Sequence, residues 1–105
     1  MPVTAEDRQQ LLRAQINTET AQIAWSELLR HFAGGHVLAV SDTLDLIEVA
    51  ARFASDDIAA VRQWLDQRRL ARVSDQQARA WLEADAVLWT VVARPWVLVQ
   101  ENRPA

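Results

Sequence analysis

Two strand-type runs near the end of the sequence constrain the fold more than any other feature. Val87–Ala93 and Trp96–Gln100 are rich in β-branched and aromatic residues, and Arg94-Pro95 separates them. This pattern predicts an antiparallel hairpin. A tight primed turn would need positive φ at Arg94, while proline fixes its own φ near about −65°. We therefore expect a wider or bulged turn.

Both faces of this hairpin are apolar if Ala93 opposes Trp96. One face would carry Trp89, Val91, Ala93, Trp96 and Leu98, and the other would carry Leu88, Val92, Val97 and Val99. A sheet with helices on one side only would leave its second face in water. We therefore expect a second helix layer or a second subunit to cover that face.

Amphipathic segments upstream of the hairpin predict about five helices. The first two are residues 6–22, capped by Thr4, and residues 26–33, capped by Ser26 and closed by Gly34. The third helix follows Ser41-Asp42-Thr43 and is expected to bury Leu46, Ile47, Ala50 and Phe53. The fourth follows Ser55-Asp56-Asp57 and is expected to turn Ile58, Val61 and Leu65 inward, with Trp64 at its edge. The fifth opens with Ser74 and Gln77 and carries Ala78, Trp81 and Leu82 on one side.

Short strand-type runs at 36–40 and 70–73 complete the element order. The expected fold class is α+β, with about five helices packed on a small, mostly antiparallel sheet that ends in the hairpin. A length of 105 residues suits one domain over 1–105 with frayed ends at 1–4 and 102–105. The absence of cysteine excludes a disulfide framework and a thiolate metal site. With no signal-like start and no apolar run long enough to span a bilayer, a cytoplasmic protein is expected.

The middle of the chain resembles a winged helix-turn-helix in its order of elements. All eleven basic residues are arginine and the net charge is −3, but residues 57–72 carry four bases against two acids, or +2. A nucleic-acid-binding regulator would use Arg62, Arg68, Arg69 and Arg72 of this segment. Asp56, Asp57 and Asp66 lie in the same region and would repel a duplex, so nucleic acid is possible but disfavoured.

Candidates for catalysis or metal binding are weak. Glu27, His31 and His36 could in principle meet a metal, but this spacing also fits a surface helical pair followed by a strand. Asp42 and Asp56 stand where helices begin, so capping explains them. The chain has no phosphate-binding glycine loop and no nucleophile elbow. We therefore expect no metal, no cofactor and no enzymatic activity, and a small enzyme or metal-binding protein is the third hypothesis.

Five tryptophans and the apolar hairpin favour a non-catalytic module that binds protein or self-associates. The expected interaction residues are Trp89, Trp96, Val97 and Val99. The expected partner is a second copy, giving a homo-oligomer, or another, unidentified protein. No membrane partner is expected.

The chain also resembles a known family across most of its length. The matching segments are Ile23-Ala24-Trp25-Ser26-Glu27-Leu28, Phe32-Ala33-Gly34, Leu44-Asp45-Leu46-Ile47-Glu48-Val49-Ala50, Trp64-Leu65 and Pro95-Trp96-Val97-Leu98-Val99-Gln100-Glu101. The sequence resembles the small bacterial domain-of-unknown-function family numbered 2288. This resemblance implies a short bacterial protein, and it brings no activity, cofactor or catalytic residue.

Overall fold

The computed structural model describes residues 4–102, which form five α-helices, one 3₁₀ helix and five strands. The helices are α1 (Ala5–Glu19), α2 (Leu29–Ala33), α3 (Leu46–Ala54), α4 (Ile58–Asp66) and α5 (Asp75–Glu83), and the 3₁₀ helix is Trp25–Leu28. The strands are β1 (Ala21–Ala24), β2 (Val37–Val40), β3 (Leu70–Arg72), β4 (Val87–Ala93) and β5 (Trp96–Gln100). The predicted α+β class is confirmed.

The strands form one sheet in the order β1-β4-β5-β2-β3. The hairpin has the predicted boundaries and register, with Ala93 opposite Trp96. β5 also pairs with β2 in parallel, where Val37 lies opposite Val97. The other three pairings are antiparallel. The last strand in sequence order therefore lies at the centre of the sheet.

The hairpin turn is tighter than expected. Arg94 and Pro95 alone connect the two strands, and the peptide bond between them is cis. The expectation of a wider or bulged turn is wrong, because Ala93 lies directly opposite Trp96 and Arg94 does not take the positive φ that a primed turn would need.

Helices of the same chain cover both faces of the sheet. One core lies under α1, α3 and α4 and includes Val91 and Leu98 of the hairpin. The second core lies under the 3₁₀ helix, α2 and α5 and includes Leu88, Val97 and Val99. The predicted division of hairpin residues between two apolar faces is confirmed for these buried positions. A second helix layer, and not a second subunit, covers the remaining face.

Several predicted helix ends are confirmed and others are displaced. Thr4 caps α1, since the Asp7 amide donates to its Oγ1 at 3.0 Å, and Ser74 caps α5 through the Gln77 amide at 3.1 Å. The first helix ends at Glu19 instead of residue 22, because the next residues are extended and pair with β4. The cap of α3 is Asp45, which follows the expected Ser41-Asp42-Thr43 segment.

The second helical segment differs from its prediction at both ends. Ser26 lies inside the 3₁₀ helix and makes no side-chain cap. Gly35, with φ of 76°, takes the left-handed position expected of Gly34, whose φ is −77°. The left-handed residue follows the helix cap, so the chain needs glycine one position later than predicted.

Residues 1–3 and 103–105 of the ends expected to fray lie outside the described residues. The other two residues of those ends are held in place, since Thr4 caps α1 and Asn102 donates two hydrogen bonds to Asp42 at 3.2 Å. None of the helices within residues 4–102 has the length and apolar content needed to span a lipid bilayer.

The centre keeps the order β2-α3-α4-β3, with two helices joined by the turn 55–57. β3 pairs with β2, as in a winged helix. However, α5 follows β3 where a wing would begin, and the hairpin lies on the other side of β2. The resemblance is therefore limited to the two helices and their two flanking strands.

Candidate functional site

An apolar groove of about 280 Å³ lies where the end of α3 meets α4. Phe53, Ile58, Val61 and Leu65 line it. The exposed fractions of Ile58 and Leu65 are 66% and 45%, so the prediction that both side chains turn inward is wrong. Large apolar side chains that converge on one exposed groove are typical of a binding surface.

The sequence of α4 explains why these side chains stay exposed. Val61 and Trp64 pack against the core under α3, and they occupy the side of α4 that faces the sheet. Ile58 and Leu65, seven residues apart, lie on a neighbouring side of the same helix. The helix thus has more large apolar residues than one buried side can hold. That excess is the signal in the sequence that could have located the groove.

Charged side chains form the rim of the groove. Arg52 donates to Glu48 at 2.8 Å and to Asp57 at 3.0 Å, which ties α3 to the first turn of α4. Asp57 also caps α4, since its Oδ1 accepts from the Ala60 amide at 3.1 Å. Glu48 in turn binds Arg13 of α1, with a shortest distance of 2.8 Å. The groove therefore lies on a helix pair that ion pairs hold in place.

Opposing effects set the pKa of Glu48 in this network. Partial burial acts to raise it, but hydrogen bonds and charges from Arg13 and then from Arg52 outweigh burial and hold the pKa of Glu48 below its ordinary value. The carboxylate of Glu48 also raises the pKa of Arg52, and Asp57 adds to that effect. The Glu48–Arg52 pair is thus charged on both sides at neutral pH.

Residues of opposite charge follow α3 and α4 in left-handed backbone conformation. Asp56 has φ of 54° after α3, and Arg68 has φ of 58° after α4. Each closes its helix with a paired hydrogen-bond pattern: the Asp57 amide donates to the Arg52 carbonyl and the Arg69 amide to the Trp64 carbonyl, both at 2.9 Å. α4 therefore has an aspartate just before it and an arginine just after it, both exposed.

The expected interaction residues of the hairpin are mostly unavailable. Val97 and Val99 are 3% and 0% exposed, beneath helices of the same chain, so they cannot present a surface in this fold. Trp89 and Trp96 are partly buried against the other core. Helices of this chain cover both hairpin faces, which is the first of the two alternatives expected for the second face.

The four arginines of the nucleic-acid hypothesis differ in their contacts and exposure. Arg69 donates to the Thr43 carbonyl at 3.3 Å and to its hydroxyl at 3.2 Å. The guanidinium carbon (Cζ) of Arg72 lies 5.7 Å from the centroid of the Trp96 ring, in cation–π contact. Arg62 is exposed at the rim of the groove, and Arg68 is exposed at the end of α4. Two of the four are thus engaged within the chain.

The candidate metal ligands Glu27, His31 and His36 are all exposed. The backbone N–H of His36 donates to the His31 carbonyl at 3.0 Å, and its ring packs edge-on to Trp96 with 6.3 Å between centroids. Across residues 4–102, no three side chains of His, Cys, Asp or Glu come together in a way that could hold a metal ion.

Comparison with known proteins identifies the chain by family. The chain is 40% identical to PA1075 from Pseudomonas aeruginosa, whose solution structure was solved by NMR, and the two structures superpose with a TM-score of 0.77. The match covers 98% of this chain and 95% of that one. No curated protein matches the sequence. The resemblance seen in the sequence is confirmed, because a family model matches residues 11–101: the chain belongs to the DUF2288 family of proteins of unknown function.

Proposed function

We propose that this protein is a small non-catalytic interaction module that binds protein through the α3–α4 groove. The observation that carries the proposal is the exposure of Ile58 and Leu65 beside a groove of about 280 Å³. Burial of apolar surface contributes roughly 25 cal/mol per Å² to association before its costs are counted. The ion pairs of the rim hold the two helices before a partner arrives, which lowers the cost of ordering the surface.

The surroundings of the groove match the anatomy of protein interfaces, which have an apolar centre and a charged rim. Arg52 and Arg62 lie on that rim together with Asp56 and Asp57. Both signs of charge are present, so the rim can select a partner by complementary pairing. Nucleic acid is a weaker candidate, because its phosphates would meet those two aspartates while Arg69 and Arg72 are held within the chain.

The structural roles of four hydroxyl groups support the proposal that the module is non-catalytic. Thr4 and Ser74 cap helices, Thr20 donates to the Ile16 carbonyl, and Thr90 donates to the Leu88 carbonyl. None of these bonds pairs a hydroxyl with a base, as nucleophilic catalysis requires. The cysteine-free sequence suits a module that acts in the bacterial cytoplasm.

Paired variants test this function. Leu65→Glu places a charge in the groove, while Leu82→Glu on α5 is a matched control, since both leucines are 45% exposed. Tagged wild-type protein should associate with itself or retain a defined protein from a bacterial extract. Leu65→Glu should lose that association and Leu82→Glu should keep it. The absence of any association by the wild type, or equal loss in both variants, would contradict the proposal.

A further inference from the structure

We infer that the occupant of the groove is α4 of a second copy of this chain, packed antiparallel to the first about a two-fold axis. This inference rests on the proposed function and names the partner of the same surface. Two features of α4 support it: the spacing of its exposed apolar residues, and the opposite charges before and after it.

The apolar spacing fits a partner helix. Ile58 and Leu65 are exposed and lie seven residues apart, the repeat of a contact seam between packed helices, and the partly buried Val61 lies between them in the groove. In a two-fold arrangement, Ile58 of each copy packs on the partner's Leu65, so the same contact occurs twice in the dimer. The apolar seam is therefore complementary to itself in this arrangement, and the charges before and after α4 decide the direction.

The charges before and after α4 favour that same direction. With Ile58 against the partner's Leu65, the position opposite Asp56 is the partner's Gln67, which is next to the partner's Arg68. Asp56 and Arg68 are both exposed and both held in left-handed backbone conformation. The antiparallel pair therefore brings aspartate near arginine twice, whereas a parallel pair would place like charges together.

This register also brings like charges together. By symmetry it places Asp57 opposite the partner's Asp66 twice, and it places each Arg62 opposite the partner's Val61, one position from the partner's Arg62. Asp57 is already paired with Arg52 of its own chain at 3.0 Å, which offsets its charge. The helix dipoles of the two copies also oppose one another, which favours antiparallel packing.

A single helix of nine residues gives a small interface. Stable dimers bury about 800 Å² per partner, so we expect a weaker association that depends on concentration. Sedimentation equilibrium of the full chain from micromolar to millimolar concentration should show a reversible dimer. Leu65→Glu should weaken it by at least about a hundredfold, through loss of apolar burial and burial of a charge, and Leu82→Glu should leave it unchanged.

Charge reversal tests the orientation. Asp56→Lys and Arg68→Glu should each weaken self-association by about tenfold, since each places like charges together at two symmetric contacts. An equimolar mixture of the two variants should recover wild-type affinity, because both contacts then join opposite charges. Asp56→Asn, which tolerates left-handed backbone, should weaken the dimer less and serves if Asp56→Lys fails to fold. Thermal melts establish that every variant is folded.

Three results would overturn the inference. One is a single-chain mass throughout the concentration range. Another is a dimer that Leu65→Glu does not affect. The third is a pair of charge variants that weaken the dimer but do not restore it when mixed, which would exclude the antiparallel arrangement. If the wild type does not self-associate, yet retains a defined protein that Leu65→Glu loses, this inference fails and the proposed function stands.

Discussion

The side-chain amide of Gln100 donates a hydrogen bond of 2.7 Å to the backbone carbonyl of Leu44. A second hydrogen bond from the same nitrogen reaches the Ser41 carbonyl at 2.9 Å. Gln100 is buried in the central strand, and these two carbonyls belong to the loop that leads into α3. One side chain therefore fastens the start of the groove's first helix to the middle of the sheet.

Replacement of this amide should destabilise the fold. Gln100→Met keeps the length of the side chain but removes the donor to the buried Leu44 carbonyl, whereas the Ser41 carbonyl keeps its bond from the Leu44 amide. We expect it to lower the free energy of unfolding by about 1–3 kcal/mol. Gln76→Met on the exposed side of α5 is the control and should change it by less than about 0.5 kcal/mol. Urea denaturation measures both, and equal stability of the two variants would contradict the role of Gln100.

The burial of Val99 makes it a stability residue, although the sequence had indicated an interaction surface there. Val99→Ala should lower the free energy of unfolding by about 2 kcal/mol, through lost apolar burial and the resulting cavity. Val92 on the adjacent strand is 56% exposed, so Val92→Ala should have little effect. Thermal unfolding measures the stability of both valine variants. Unchanged stability together with impaired association in Val99→Ala would restore the original expectation.

The ion pairs of Glu48 should make stability depend on pH in a defined direction. Because the pKa of Glu48 is lowered by folding, its contribution is fully present above the ordinary glutamate pKa of about 4.3. That contribution is lost as pH falls through the lower pKa of the folded state. Glu48→Gln should therefore be less stable than wild type at pH 7, by about 1 kcal/mol for these partly exposed pairs. Urea denaturation should show that the difference in unfolding free energy between the two proteins shrinks toward pH 3. A difference that stays constant with pH would contradict the role of these ion pairs.

Asp85 provides a test of backbone strain away from the groove. It follows α5 with φ of 49°, and the next amide donates to the Trp81 carbonyl at 2.9 Å. Glycine adopts this conformation without the cost that a side chain adds, so Asp85→Gly should raise the free energy of unfolding by about 0.5–1 kcal/mol. Ala84→Gly, at φ of −85°, should lower it. If both variants changed the free energy of unfolding in the same direction, the positive φ of Asp85 would not be the cause of the effect.

Duplex DNA should bind weakly or not at all. If all four arginines contacted phosphate, log affinity would fall against log salt with a slope near about −3.6. We expect no submicromolar affinity for random duplex at about 150 mM salt, a condition where non-specific binders reach about 10⁻⁴–10⁻⁶ M. Fluorescence anisotropy measures this. Submicromolar binding that Arg68→Ala with Arg69→Ala abolishes would make the nucleic-acid regulator the leading function.

Local signals predicted the hairpin and the two apolar faces of the sheet, because alternation along a strand fixes which side chains share a face. The partner of β5 had no such signal. Its parallel pairing with β2 joins residues about sixty positions apart, such as Val37 and Val97, and no local pattern encodes that distance. The same limit applied to β1, whose first two residues, Ala21 and Gln22, were assigned to the first helix although they pair with β4 in the sheet.

The groove was missed for a different reason. Periodicity located α4 and its apolar residues correctly, but it does not state how far a helix is rotated about its own axis. Trp64 and Val61 together fill the space against α3 and the sheet, which leaves Ile58 outside. The outcome depends on which large side chains fit the core, and that is a property of the assembled fold.

The central position of β5 has a consequence for synthesis on the ribosome. Before residues 87–100 emerge, the strands already made can form only the short pair of β2 with β3, and β1 has no partner. The sheet is thus completed only when β4 and β5 have been synthesised. Both cores contain residues of these two strands, so neither core can form before then. Folding must follow translation of this segment, and until then the apolar sides of the helices are exposed to chaperones and proteases.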